Sequence, residues 1–400
     1  MPLPLSNVRV VDFCQVFAGP MATMLLADQG ADVIKVETPE GDSSRNYVPV
    51  PDTDRLSRGY VAFNRNKRNI VLDLSKPEGG DVMQRLVRWA DVAVCNLRAS
   101  VPERLGIAYE QLAVINPRLV YASITAYGEK GQDATLPGYD LVVQAKAGIT
   151  DSRRLPDGTP VGSHIFYADM AGAMLSAYGI MLALRQRDTT GRGQKIEVNL
   201  LHTYLSLQTV QLVHIPTYNP PQQGRRPSAV VSPYRAGDGK WIHIHAATER
   251  QWRSLCRALN LIHLLEDPEF GTQQKRSENA ETLFDIFSNL LATKPAGEWE
   301  QILKAGNAPC SIVQTQEEVW SDPQVVSNDM IVSYDQPSIG NISVVDTPVR
   351  LSDSQAIGTV RRPAPEMGEH TNEILKEIGY NDSEINDLRR KDVLGKDRVS

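Results

Sequence analysis

Short β-branched runs alternate with helix-like stretches over the first third of the chain. Val8 to Phe13 is an apolar run of the kind that forms a strand buried on both faces. Ala18-Gly19-Pro20 breaks it. Met21 to Gln29 then reads as a helix with Met24, Leu25 and Ala27 on its apolar side, stopped at Gly30. Val33 to Val36 is a second strand. Strand, tight turn, helix, strand is a βαβ unit, which implies parallel pairing and a right-handed crossover. The pattern recurs, with strands at Asn69 to Leu74, Asp91 to Cys95 and Leu119 to Thr125, and helices at Lys76 to Trp89 and Tyr109 to Asn116. The expected fold class is α/β, with a doubly wound parallel-sheet (Rossmann-like) large domain.

The middle of the chain changes character. Asp169 to Arg187 reads as one helix rich in Ala, Gly and Met, stopped by Gly191-Arg192-Gly193, and Lys195 to Leu200 resumes a strand. Pro216 to Pro227 is too rich in Pro, Gln and Gly for regular structure and reads as a linker or active-site loop. A smaller α/β domain follows. It has a strand at Trp241 to His245 and helices near Arg250–Leu259, Ala280–Leu291 and Ala296–Lys304. Ile342 to Leu351 reads as a last strand returning to the first domain, and Gly368-Glu369-His370-Thr371 leads into a helix through Ile378. The expected division is residues 1–215 as the large domain, 228–325 as the small one, and 326–400 as a segment returning to the large domain, frayed from Gly395 to Ser400.

Composition narrows the function classes. The 400 residues are 41% hydrophobic and 22% charged, ordinary for a globular chain of this length. The net charge of -6 is spread along the sequence, which weighs against a nucleic-acid partner. No apolar run reaches the ~18 residues that span a bilayer. The N-terminal MPLPLSNVRVVDF lacks a secretory pattern, so neither membrane nor export is expected. Cys14, Cys95, Cys256 and Cys310 lie far apart and read as reduced thiols of a cytoplasmic protein.

Several motifs are weak. Glu37 ends the second strand, where a dinucleotide fold puts its ribose-binding acid. The first turn, Gln15-Val16-Phe17-Ala18-Gly19-Pro20, has no glycine fingerprint, and its proline removes a donor that a pyrophosphate would use. Gly191 to Lys195 follows a helix and precedes a strand, the reverse of a P-loop. His243 and His245 share one strand face without a Cys, Asp or Glu at ligand spacing, so no metal is expected. His164, five residues before Asp169, reads equally well as structural.

Seven stretches taken together are specific. They are VRVVDFCQVFAGPMATMLLADQGADVIKVE; NRNKRNIVLDL followed by PEG; ADVAVCNLRASVPERLG; NPRLVYASITAYG; PGYDLVVQAKAG; TGRGQKIEVNLL; and GEHTNEIL. In this order they resemble the class III coenzyme A transferases, the formyl-CoA transferase and carnitine CoA-transferase family of CaiB/BaiF type, from about residue 5 to residue 380. The resemblance implies that Asp169, in YADMAGAM, is the nucleophile. Moving CoA between acids without ATP needs a carboxylate that preserves the thioester's energy. Asp169 falls at an expected helix start, where N–H groups and the dipole favour the anion. Ala171, Gly172 and Ala173 beside it would let an acyl group approach. Without the resemblance, Asp169 reads as an N-cap.

The resemblance also implies CoA contacts at Val16, Ala18, Thr38, Leu72, Ser75, Asn96, Arg98, Arg104 and Asp140. Arg98 and Arg104 suit phosphates, with help from Lys67 and Arg68. It implies no permanently bound cofactor, with coenzyme A or acyl-CoA as substrate. It implies an interlocked homodimer, in which long connections around 187–235 and 320–345 let each chain thread through the other. Formyl-CoA transferases carry glutamine where Phe17 stands and arginine where Thr38 stands. Their glycine-rich loop has no counterpart in Ser228 to Trp241. These departures weigh against oxalate or formate. Arg45, Arg225 and Arg226 suggest a second carboxylate, as in succinyl-CoA, so short-chain or dicarboxylic acids are expected. An α-methylacyl-CoA racemase resembles the same family, but its histidine would fall where this chain has Tyr139, a poor base near neutral pH. A non-catalytic CoA-binding protein would need no carboxylate at residue 169.

Overall fold

Six strands, β1 (Arg9–Asp12), β2 (Asp32–Glu37), β3 (Lys67–Val71), β4 (Val92–Cys95), β5 (Val120–Thr125) and β6 (Lys195–Asn199), form one parallel sheet in the order β3-β2-β1-β4-β5-β6. The computed structural model describes residues 3–50, 56–217, 228–353 and 360–395. Successive strand residues point to opposite faces, and both faces are covered. Val10, Val33, Val92 and Val94 pack with Ala22 and Leu26 of α1 (Ala18–Asp28) on one side. Val11, Ile34, Ile70 and Ala93 pack on the other, with Val82, Met83 and Leu86 of α3 (Pro77–Trp89), which follows α2 (Arg58–Asn64). This double burial makes the strands read as continuous apolar runs.

The remaining helices of this region are α4 (Ser100–Arg104), α5 (Tyr109–Ile115), α6 (Asp140–Lys146), α7 (Tyr167–Thr190) and α8 (Leu200–Leu207). Helix α7 packs on α1, β5 and β6, burying Ala173, Ile180 and Ala183. It corrects the expectation about apolar runs. Among the described residues it is one helix long and apolar enough to cross a membrane, by length and composition, with a mean hydropathy of 1.3 over 18 residues, of which 39% are buried within the chain.

The chain divides into two compact units, Met1–His214 with Ser327–Ser400, and Ile215–Val326. In the first, the C-terminal segment covers the edge strand β3. Asn66 N–H donates to the Arg362 carbonyl at 2.9 Å, and His370 N–H to the Asn69 carbonyl at 3.0 Å. The expected last strand, Ile342 to Leu351, is shorter and pairs differently. β10 (Ile331–Gln336) and β11 (Gly340–Val345) form an antiparallel hairpin of their own and do not join the large sheet. In the second unit, β7 (Val231–Arg235), β8 (Trp241–His245) and β9 (Cys310–Ile312) make an antiparallel sheet. Helices Glu249–Ala258, Ala280–Leu291 and Ala296–Ala305 pack with it around Trp252, Phe287 and Trp299. Residues 218–227 of the expected linker, including Arg225 and Arg226, and residues 396–400 of the expected frayed end lie outside the described residues.

Candidate active site

In a sheet of this order the connections reverse direction between β1 and β4, which opens a crevice at the carboxyl ends of those strands. A cavity of about 220 Å³ lies at that end, lined by the turn after β1 (Gln15 to Ala18), the loop after β4 (Asn96 to Ala99), the residues after β5, and Asp169. The two loops are stapled together. Gln15 N–H donates to Asn96 Oδ1 at 2.8 Å, and Asn96 Nδ2 donates to the Gln15 carbonyl at 2.6 Å. Helix α1 approaches so closely that a Cβ on Gly19 would sit 2.4 Å from Cys14 Cβ, so only glycine fits.

Asp169 is the third residue of α7, not its N-cap; that position is held by Phe166, which makes no side-chain cap. The cap comes from another helix. Asp140 Oδ2 accepts the N–H groups of Ala168 and Asp169 at 2.8 and 2.9 Å, and Tyr204 donates its hydroxyl to Asp140 Oδ1. Gln144 Nε2 donates to that hydroxyl at 3.0 Å. The α7 N-terminus therefore already has a buried anion on it. Partial burial, and then the nearby Asp140 charge, push the Asp169 carboxyl up to about 7. This reverses the expectation that the helix start would favour the ionised form. Gly172 and Ala173 are also reassigned: both are buried, Gly172 against Leu200 and Thr203 of α8, where they allow helix packing and not acyl access.

A family model described as CoA-transferase family III matches residues 5–371. The chain belongs to that family. The formyl-CoA:oxalate CoA-transferase of Streptomyces coelicolor is 32% identical to it over 412 residues, covering 98% of this chain and 99% of its own. The succinyl-CoA:glutarate CoA-transferase of Mus musculus is 32% identical over 380 residues, covering 94% and 86%. A crystal structure of Rv3272 from M. tuberculosis superposes with a TM-score of 0.83 at 33% identity, covering 93% of this chain and 99% of that one. The protein is thus a CoA-transferase, an enzyme of the class whose substrates are CoA thioesters.

Within this family III fold, the residues expected at the site separate into two groups. Val16, Ala18, Asn96, Arg98 and Asp169 line the cavity together. Arg98 is exposed and has no side-chain ion pair among the described residues. Tyr139 also lines it, 64% exposed. Thr38, Ser75 and Arg104 are exposed and do not line it, Ser75 being bonded to Asp73, and Leu72 is fully buried in the core. Asp140 is the buried cap just described, with both oxygens occupied by the chain.

The basic residues of the NRNKR stretch are structural and not phosphate ligands. Lys67 donates to Asp12 Oδ2 at 3.0 Å and to the Pro20 carbonyl and Asn64 Oδ1 at 2.8 Å. Arg68 pairs with Asp32, Glu373 and Glu377. Arg45 is buried and holds Glu37 through two bonds of 2.8 and 2.6 Å, which removes both the expected second-carboxylate cation and a ribose-binding acid. His164 is exposed, as are His243 and His245 on β8; among the described residues no cluster of three metal-ligating side chains occurs. Sequence reasoning missed the aromatic wall. Phe17 lines the cavity with its ring 5.3 Å from each of Tyr47, Phe63 and Phe166. It also missed Lys35 and Asp42 beneath the turn; the one signal was a lysine inside the apolar strand DVIKVE.

Proposed function

We propose that Asp169 is the nucleophile of a CoA transfer that passes through enzyme-bound intermediates. The Asp169 carboxylate attacks the acyl-CoA carbonyl, giving a mixed anhydride and CoA thiolate. The thiolate attacks the Asp169 carbonyl, giving an aspartyl-CoA thioester and releasing the donor acid. The acceptor carboxylate then attacks that thioester, the thiolate returns to the acyl carbonyl, and Asp169 is regenerated. The observation that carries this reading is the position of Asp169 in the wall of the switch-point cavity, which the Val16–Ala18 turn also lines. Val16, Ala18, Asn96 and Arg98 are the CoA contacts this placement supports. A space of about 220 Å³ suits the thioester end of the molecule, with Arg98 offered to a phosphate.

Short-chain or dicarboxylic acids, such as succinyl-CoA, remain the proposed substrates. Their support is the similarity to the mouse enzyme named for succinyl-CoA and glutarate. The cysteines Cys14, Cys95 and Cys256 are free and buried, in keeping with a cytoplasmic enzyme. The test is incubation with one labelled acyl-CoA, two free acids and deuterated water. Label is expected in the CoA thioesters of the added acids, with no deuterium at the α-carbon of a 2-methylacyl-CoA. Exchange without transfer would make the enzyme a racemase, and neither would leave a CoA-binding protein.

The working form is proposed to be a homodimer. Support comes from the apolar surface left on α7, where Met174, Leu175, Tyr178 and Leu182 are all more than 40% exposed. Light scattering is expected to give twice the chain mass at all dilutions; a dilution-resistant monomer would rule the dimer out.

A further inference from the structure

Val16 has a φ of 66°, in the left-handed region where a β-branched side chain is strained. Such a conformation persists only where its surroundings over-determine it. Here the surroundings are charged and buried. Val16 N–H donates to Asp42 Oδ1 at 3.1 Å. Lys35 Nζ sits 2.8 Å from Asp42 Oδ2 and donates to the Cys14 carbonyl at 2.8 Å. Cys14 N–H donates to Asp12 Oδ1 at 2.9 Å, and Asn96 holds both backbone groups of Gln15. Lys35 and Asp42 are 0% and 2% exposed.

A βα turn needs none of this. Glycine at residue 16 would adopt the same φ without strain, and no buried charge would have to leave water. What the strained turn does place is Phe17, the next residue. Its ring lies 5.3 Å from that of Phe166, the residue that precedes α7. Asp169 follows in the first turn of α7, and both Val16 and Phe17 line the cavity with it. Clamp, strained turn, aromatic contact and nucleophile are thus one packed series.

We propose that Lys35 and Asp42 are positioning residues for the transfer, holding Val16 in its left-handed turn so that Phe17, through Phe166, sets the start of α7 and the carboxylate of Asp169 against the cavity. This rests on the reading that the cavity is the transfer site. Displacing reacting groups by about 1 Å costs on the order of 100-fold. Asp42→Ala is therefore expected to lower kcat/KM for acyl-CoA by about 10- to 100-fold. The same change in a chain carrying Val16→Gly is expected to cost less than about threefold, because glycine adopts the left-handed turn without strain and leaves the clamp nothing to oppose. The melting temperature is not expected to recover with it, since Lys35 still lacks its partner. That split separates positioning from stability.

Because Asp42→Ala orphans a buried lysine, the cycle is repeated with Lys35→Met and Asp42→Ala together, which leaves no unpaired charge; the same rescue is expected. Equal losses with and without Val16→Gly, or a loss of less than about threefold from removing the clamp, would overturn the proposal. Calorimetric CoA affinity is measured on the same chains. If the unaltered protein transfers CoA but the losses are equal with and without Val16→Gly, the clamp fails alone; if it binds CoA but transfers none, the transfer reading fails and the clamp with it. A protein that binds no CoA ends both.

Discussion

Replacing Asp169 by alanine or asparagine is expected to lower kcat by on the order of 10⁴-fold or more, as deletion of a nucleophile does, while CoA affinity changes little. The reaction conserves a thioester, so an energy-rich species on the enzyme must bridge the two half-reactions. Asp169 is the carboxylate in the cavity wall; Asp140 is consumed as a helix cap by two N–H groups and a tyrosine hydroxyl. Acyl-CoA alone, followed by acid quench and peptide mass mapping, should find CoA on the peptide holding Asp169, and borohydride should reduce that residue to an alcohol. Wild-type turnover by Asp169→Ala would sink the mechanism.

The same residue sets the pH dependence. A nucleophile must be ionised, and burial with the Asp140 charge raises this carboxyl from 3.8 to about 7. kcat/KM, which reports the free enzyme, should climb with pH up to about 7 and then level. Stability should run the other way. A carboxyl whose folded pKa is raised opposes folding when ionised. The penalty is absent below the unfolded value, grows between about pH 4 and pH 7, and is complete above that. Asp169→Asn should therefore raise the melting temperature at pH 8 and leave it unchanged near pH 3.5. The gain is at most about 4 kcal/mol, reduced because the side chain is only partly buried.

Lys67→Ala is expected to destabilise the protein by about 3–5 kcal/mol, the cost of leaving one half of a buried ion pair. Lys67 and Asp12 are both 0% exposed at 3.0 Å, and Lys67 also satisfies the Pro20 carbonyl and Asn64. Burial would raise the Asp12 carboxyl, but Lys67 and Lys35 outweigh it and hold it down at about 2. Removing the ammonium takes the ion-pair partner from a buried carboxylate and leaves it the Lys35 charge and the bonds from Thr23 and Cys14. Urea unfolding should show a much lower midpoint for Lys67→Ala. Lys67→Met combined with Asp12→Leu should recover much of the loss, since apolar replacement of both partners removes the unpaired charge. Had Lys67 been a phosphate ligand, Lys67→Ala would weaken CoA binding and spare the midpoint; that outcome would refute the structural assignment.

The two readings of Lys67 show where sequence reasoning stops. β1, β2, β4 and β5 are legible because burial on both faces writes them as apolar runs. β3 begins at Lys67, two residues before the expected Asn69, because its first residues are charged or polar and still buried. Nothing near Lys67 in the chain announces this; its partner Asp12 is 55 residues away. β10 and the bounds of β11 are not legible in the sequence, because a half-exposed hairpin has a weaker apolar signal than a buried strand.

The sequence by itself determined the α/β class, the βαβ succession, the family, and Asp169 at the head of a helix. The class, the succession and the helix depend on residues adjacent or periodically spaced along the chain, where local sterics and burial act; the family rests on the resemblance of seven stretches in order. Tertiary structure alone decided which residues meet. It made Asp140 a cap and a neighbouring charge for Asp169, 29 positions away along the chain. It turned Arg45, Lys67 and Arg68 inward to partners, and it gathered Val16, Ala18, Asn96 and Arg98 at the switch point while leaving Thr38, Leu72, Ser75 and Arg104 outside. The physical reason is that a charge buried away from water must find its counter-charge or donors in space. Those partners come from strands and helices that only the folded sheet brings together.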